Sequence, residues 1–472
     1  MNIYDLLVIG GGINGTAVAE DAAGRGLSVV LCEKNDLASG TSSKSSKLIH
    51  GGIRYLEQYK FKLVHEALTE RAILMYRAPF LVHPLEFILP YEKHLRPKWM
   101  IRAGLFLYDH LTTHRSVPTS KYLKLDSSSP LKNEYSIGFG YYDCVTDDSR
   151  LTVLNALSAK QHGATILTRH HVTNITTEDK HWVVQLNGKK LIYCKAIVDA
   201  SGAWINKKVI NVKGSHIVVP KLYNDANAYI LQNKDKRIVF TIPYQNNFTL
   251  IGTTDEHYSG DLDNVKISSD ETSYLINICN HYFEKKIKPS DVVWSFAGLR
   301  SLIQENTEKL SAISRELKIE LVLTDELPTI NLYGGKLTTH RSTAEKVMKT
   351  LKPFFPSMKK SWTSSTTLPG GNMNNLNTFL SNQVQRYAWL DKNIVSRYVL
   401  SYGTEIHNLL SHKKNINDLG KHFGYGLFEH EVEYLLQNEW ASTAEDILWR
   451  RSKLGLYFSN QENEVLNNFI TK

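Results

Sequence analysis

Tyr4-Asp5-Leu6-Leu7-Val8-Ile9-Gly10-Gly11-Gly12-Ile13-Asn14-Gly15, continuing through the alanine-rich Thr16 to Ala23 and the apolar run Leu27 to Cys32 that ends at Glu33, decides the fold. The first apolar run reads as a strand, the glycines as a tight turn, the alanine-rich stretch as a helix and the second apolar run as another strand. Each residue of the turn has a physical job. Gly10 permits the turn, Gly12 lets the backbone approach a pyrophosphate, Gly15 lets helix and strand pack closely, and Glu33 accepts from ribose hydroxyls. The helix N-terminus, with Ile13 and Asn14 in its first turn, then faces the phosphates. An isolated glycine pattern would be an ordinary turn. The order strand, turn, helix, strand, acid makes it a dinucleotide unit.

Working outward, Lys195 to Ser201 forms another short apolar strand that runs into Gly202-Ala203-Trp204, and Leu332-Tyr333-Gly334-Gly335-Lys336 repeats the strand-to-glycine pattern ahead of a helix. Glycine-ended strands so far apart in sequence imply one long cofactor touched at several places, which selects FAD between the two dinucleotides this unit can hold.

Composition bounds the rest. A chain of 472 residues with 42% hydrophobic and 22% charged residues is a folded globular protein of two or three domains. Its four cysteines, Cys32, Cys144, Cys194 and Cys279, are scattered without a CxxC pair, so neither a disulfide framework nor a cysteine zinc site is expected, and no metal is called for. No leader and no apolar run of the roughly 18–20 residues needed to cross a bilayer are expected. Lysine and arginine number 56 against 47 acidic residues, a net charge of +9 that favours anionic partners. Neither a zinc knuckle nor an RNP-type stretch claims that charge for nucleic acid.

The segment Gly40-Thr41-Ser42-Ser43-Lys44-Ser45-Ser46-Lys47-Leu48-Ile49-His50-Gly51-Gly52-Ile53-Arg54-Tyr55-Leu56-Glu57 resembles the stretch after the second strand in FAD-dependent glycerol-3-phosphate dehydrogenases. Tyr142-Asp143-Cys144 with Asp147 to Leu151, Lys213 to Val218, Ile242-Pro243-Tyr244 with Leu250 to Asp255, Trp294 to Arg300, Gly334 to Thr339 and Asp446 to Leu456 follow in the family's order, so the resemblance covers nearly the whole chain. Ser301, His340, Asp199 and Ala203 depart from the family's usual residues.

The resemblance implies oxidation of sn-glycerol 3-phosphate to dihydroxyacetone phosphate, with hydride passing from C2 to flavin N5 and electrons then to a membrane quinone. Arginine grips a phosphate best through its planar fork, so Arg54 and Arg300 are the expected phosphate ligands, with Tyr55 beside them and Arg315 as a third candidate. Lys336, after two glycines at a helix start, is expected to stabilise negative charge on the reduced flavin or to hold a substrate oxygen. His50 is the expected proton acceptor. His216 is its rival, and an arginine stabilising the forming ketone oxygen without a dedicated base is a third arrangement. Thr41, Ser42, Ser45 and Ser46 offer hydroxyls to the cofactor or cap the next helix, Lys34 accompanies Glu33, and Gly202, Gly335, Leu337 and Thr338 complete the expected cofactor contacts. Asp147 and Arg150 are read as capping and bracing the helix that follows.

The expected architecture is α/β: a Rossmann-type FAD-binding domain (1–75, 146–210 and 301–350) interleaved with a mainly β substrate domain (76–145 and 211–300), plus a C-terminal α-helical domain (368–472). Two segments mix basic with large apolar residues, Lys93 to Phe106 and Lys352 to Trp362, the composition of an interfacial segment on an anionic lipid surface. The protein is therefore expected at the cytoplasmic face of the cell membrane, attached peripherally, with a homodimer allowed. The rival functions are a glycerol-3-phosphate oxidase that uses oxygen, the amine and amino-acid oxidases of the same fold, and a non-catalytic flavin-binding protein that docks on membranes.

Overall fold

The computed structural model describes residues 3–93, 96–112, 116–205, 209–233, 235, 237–303 and 317–471, with Arg54 and Ile303 described by their main chain alone. Two sheets dominate it. The first has eight strands, and its main path runs Lys318–Thr324, Leu327–Tyr333, Lys190–Asp199, Ile3–Ile9, Val29–Glu33, Thr165–Thr168. Ile3–Ile9 lies at its centre, parallel to the strands on both sides. Leu6, Leu7, Val8, Val29, Val30 and Leu31 are fully buried, as a parallel strand covered on both faces requires.

Helix α1 (Ile13–Gly24) covers one face of this sheet. Its small residues Ala17, Ala19, Ala22 and Ala23 let it lie close to the strands and to the helices Asp148–Gln161 and His340–Leu351, which share its core. Asp147 caps the helix Asp148–Gln161 by accepting from the Arg150 amide at 3.0 Å. Arg150 itself reaches Glu439 and the Ser401 carbonyl, so it braces that helix against the C-terminal unit.

The second sheet has ten strands in mixed, mainly antiparallel order, with Val209–Pro220 paired along its length to Trp294–Ile303. The two-residue strand Leu48–Ile49 joins its far edge, so the chain that leaves the nucleotide sheet at Glu33 enters the second sheet directly after the turns of residues 34–47. From Leu376 onward the chain is helical around its own core, interrupted by a small hairpin, His422–Gly424 with Leu427–Phe428, and by the π-helical turn Asp446–Arg451. The α/β class with a helical C-terminal unit is thus the observed one.

One expectation fails. The segment Lys352 to Trp362 does not offer its apolar side chains to a surface. Phe355 and Met358 are buried in the core beneath α1, and the Trp362 ring packs so closely on Gly24 that a Cβ there would lie 2.1 Å away. Its lysines are the solvated edge of a core segment. The other segment, Lys93 to Phe106, contains helix Lys98–His110, on which Trp99 and Phe106 are 69% and 62% exposed; His94 and Leu95 lie outside the described residues. Among the described residues no helix is long and apolar enough to cross a membrane.

Candidate active site

A single cavity of about 1900 Å³ runs from Glu33 at one end to Lys336 and Arg300 at the other. That exceeds the roughly 300–1,000 Å³ of a small-ligand pocket and suits a dinucleotide with a substrate beside it. Gly10, Gly12, Ile13, Asn14, Glu33, Lys34, Thr41, Ser42, Ser45, Ser46, His50, Tyr55, Gly202, His216, Arg300, Gly335, Lys336, Leu337 and Thr338 all contribute to its wall. Gly15 does not; its place is against the turn behind it, where a Cβ would stand 2.0 Å from the Gly10 carbonyl oxygen.

At the first end, Gly10 has φ +105° and its missing Cβ leaves room for the Ala200 carbonyl. Helix α1 has no side-chain cap from Gly12, and its Ile13 amide donates to Ser42 Oγ at 2.8 Å. The helix N-terminus therefore opens on the cavity beside a serine. Glu33 is held by two main-chain amides, Gly11 to Oε2 and Asn35 to Oε1, each at 2.7 Å, while burial pushes its pKa up. Lys34 pairs with Asp263 at 2.5 Å and lies over the Trp204 ring.

The hydroxyls expected on the cofactor turn out to tie the protein together as well. Thr41 donates to the Leu299 carbonyl at 2.7 Å, Ser45 to Asp148 at 2.7 Å, and Ser46 shares a 2.9 Å hydrogen bond with His216 Nε2. The imidazole of His216 stacks on Phe296, and burial, reinforced by Arg300 and Lys47, pushes its pKa well below the usual histidine range. The charged form is thereby disfavoured, and the ring's Nδ1 has no hydrogen-bond partner among the described residues.

At the second end, Lys336 opens the 3₁₀ turn Leu337–Thr339 ahead of helix His340–Leu351, and its ammonium lies 3.9 Å from the Tyr55 ring centroid. Thr338 Oγ1 accepts from the His50 amide at 3.2 Å and donates back to the His50 carbonyl at 3.3 Å, fixing the histidine's main chain. Arg300 lines the same wall, paired with Asp255 and donating to Thr253 Oγ1 at 3.1 Å. The pairing sets its guanidinium in place with about a quarter of the side chain exposed. Arg54 sits on the 3₁₀ turn Ile53–Gln58 but its side chain lies outside the described residues, as does the whole of Arg315.

The sequence reading passed over several wall residues: Lys44, His170, His171, Asp255 and Glu445. Lys44 stands against Gly298, and burial, with Lys47 and Arg450 nearby, lowers its pKa to about 8. Nothing in its sequence position distinguishes it from Lys47, which instead forms a buried pair with Asp148 at 2.9 Å. Only the assembled fold, which gives Lys47 the Asp148 carboxylate, separates the two.

These residues fit a bound dinucleotide. Gly202 (φ +68°) has no atom within 4 Å of where a Cβ would stand, and Gly334 and Gly335 (φ +74° and +95°) bring the main chain up to Asn14. Asn14 Nδ2 donates to the Gly334 carbonyl at 3.2 Å, while its Oδ1 is buried without a partner among the described residues, an acceptor left for a ligand.

The sequence matches the FAD dependent oxidoreductase family over residues 5–326 and the C-terminal domain of alpha-glycerophosphate oxidase over residues 361–471. It is 47% identical to a glycerol-3-phosphate dehydrogenase of Pseudomonas aeruginosa, over 99% of this chain and 95% of that protein. It is 44% identical to a D-erythritol 1-phosphate dehydrogenase of Brucella abortus, over 97% and 96%. Its fold is similar to that of the glycerol-3-phosphate dehydrogenase of Bacillus halodurans complexed with FAD, with a TM-score of 0.75 at 25% identity, covering 100% of this chain and 94% of that one. A cavity whose glycines and orphaned acceptor suit a dinucleotide, on a chain related to these proteins along its whole length, is a flavin site. The chain belongs to the FAD-dependent glycerol-3-phosphate dehydrogenase family of oxidoreductases.

Proposed function

We propose that the protein oxidises sn-glycerol 3-phosphate at C2 to dihydroxyacetone phosphate and delivers the electrons to a quinone at the cytoplasmic face of the cell membrane. The reading is supported by His50, Lys336 with Tyr55, and Arg300 all lining the one cavity that the dinucleotide turn also lines. Bound FAD supplies the two-electron acceptor. The chain's own residues do the rest. Arg300 grips the substrate phosphate, joined by Arg54 and Arg315; Lys336 holds negative charge near Tyr55; His50 takes the hydroxyl proton. A second reading gives the proton to His216, favoured by burial that disfavours its charged form and by an Nδ1 without a hydrogen-bond partner among the described residues.

Support for a lipid-soluble acceptor comes from the mouth of the cavity. Tyr59, Phe61, Met100, Ile101 and Leu107 line it, while Trp99 and Phe106 stand exposed alongside Arg96, Lys98 and Arg102. Such a face suits the boundary of an anionic bilayer.

Anaerobic addition of sn-glycerol 3-phosphate should bleach the oxidised-flavin band, and a soluble quinone analogue should restore it. Recovery with oxygen but not quinone would make the protein an oxidase. The Brucella relative's name adds a second substrate to the test. Bleaching by D-erythritol 1-phosphate alone would move the substrate to a longer polyol phosphate, and a yellow protein that neither compound bleaches would sink both substrates.

A further inference from the structure

The π-helical turn Asp446–Arg451 belongs to the C-terminal unit, yet its charged side chains leave that unit. Arg451, fully buried, donates through both terminal nitrogens to the two oxygens of Asp36, each at 2.8 Å, and Arg450 Nε donates to Asp36 at 2.6 Å. Asp446 accepts from Arg169 at 2.5 Å, from Arg450, and from the main-chain amides of Ser442 and Thr443. Burial pushes the Asp446 carboxyl up, but the Ser442 amide and the guanidiniums of Arg450 and Arg169 outweigh it and hold its pKa at about 2.

Asp36 and Arg169 are not core residues of the nucleotide sheet. They stand on the two loops that follow strands Val29–Glu33 and Thr165–Thr168. Those loops are stitched to each other by the Arg169 amide on the Asn35 carbonyl and the His170 amide on the Glu33 carbonyl, both at 2.8 Å. Lys34, Asn35, His170 and His171 then form the wall of the cavity around Glu33, the end suited to a ribose, and Glu445, one residue before the turn, lines it too.

We propose that this turn is a clamp that positions the adenosine-side wall of the FAD site, so that the C-terminal unit helps to set cofactor affinity without touching the reacting atoms. Loops held by charge-assisted, bidentate bonds arrive preorganised, and a ligand that finds its wall preformed spends less binding energy on ordering it. Asp36, Arg169 and Asp446 are thereby positioning residues.

The test uses the full-length apoprotein and titrates FAD by flavin fluorescence, with ADP as competitor. Arg169→Gln cuts the clamp from a side chain that is 37% exposed, and Asp36→Asn cuts it at its centre. Glu431→Gln is the control, since it breaks the buried Arg397 pair inside the C-terminal unit and touches neither loop. Both clamp variants should weaken FAD roughly tenfold, with ADP weakened by the same factor and kcat at saturating FAD unchanged. Glu431→Gln should lower the melting temperature and leave FAD affinity alone. The clamp is refuted if Arg169→Gln binds FAD and ADP like the parent protein, or if all three variants lose affinity in proportion to their melting temperatures. Should Asp36→Asn fail to fold, Arg169→Gln decides the matter by itself.

Discussion

The two ends of the cavity are built on different principles. Around Gly10 to Gly15 the protein uses main chain: a positive φ at Gly10, absent Cβ atoms and a helix terminus shape the wall, and a Cβ added at Gly10 or Gly15 collides with backbone. Around His50, Arg300 and Lys336 it uses charged and aromatic side chains held by partners from distant parts of the chain, Asp255 for Arg300 and Tyr55 for Lys336. A main-chain site leaves little room for side chains at Gly10 and Gly15, but little of it depends on which side chains surround it. A side-chain site can be retuned one residue at a time, at the cost of depending on everything around it.

The contrast breaks most visibly at Gly15. Replacing it with alanine places a methyl 2.0 Å from the Gly10 oxygen, an overlap with backbone that exceeds the ~1–3 kcal/mol of an overpacked core. The variant should purify colourless and melt early, both read from its visible spectrum and thermal unfolding. Arg300→Lys should keep the flavin and lose about 2 kcal/mol in substrate recognition, roughly 30-fold in kcat/KM for glycerol 3-phosphate, because an ammonium cannot reproduce the fork. If that variant loses flavin as well, the two ends are not independent.

A smaller effect is expected at the mouth. Trp99→Glu with Phe106→Glu should abolish co-sedimentation with anionic vesicles while leaving anaerobic flavin reduction by substrate unchanged, since both side chains are exposed. The smallest concerns Lys44. Its folded pKa of about 8 lies below the 10.5 of a free lysine, so between those values the unfolded chain binds more protons and stability rises with pH. Below pH 8 the charged amine is a standing penalty. Lys44→Met should therefore melt higher than the parent at pH 7, with the difference shrinking toward pH 10; an unchanged difference would remove Lys44 from the buried cavity wall.

The same division explains what the amino-acid order reveals. The turn at Gly10 to Gly15, its acid Glu33 and the strands at Lys195 and Leu332 are legible because their chemistry is local: backbone conformation is written in glycine spacing and apolar runs. The family signature brought Arg300, His50 and Lys336 to attention. It did not reveal that Thr41 answers to Leu299 and Ser45 to Asp148, or that Arg451 holds Asp36, because such pairings join residues far apart and exist only once sheets and helices have met. Lys352 to Trp362 misled for a related reason. Basic and apolar residues mix along a buried turn segment just as they do on a lipid surface, and only the burial of Phe355 and Met358 and the packing of Trp362 on Gly24 tell them apart.

The serine-rich stretch from Thr41 to His50 has a mechanical consequence. It crosses from one sheet to the other, and along the way it is fastened at Leu299, Asp148, His216 and Thr338. A hinge placed there would have to shear all four fastenings at once. Opening of the two sheets like a clamshell is therefore opposed, and the rim beside Tyr59 and helix Lys98–His110, the one we propose faces the bilayer, is left as a route to the flavin that needs no such opening. If substrate and a lipid-borne oxidant both use that rim, they would have to take turns there, and turnover would proceed by alternation.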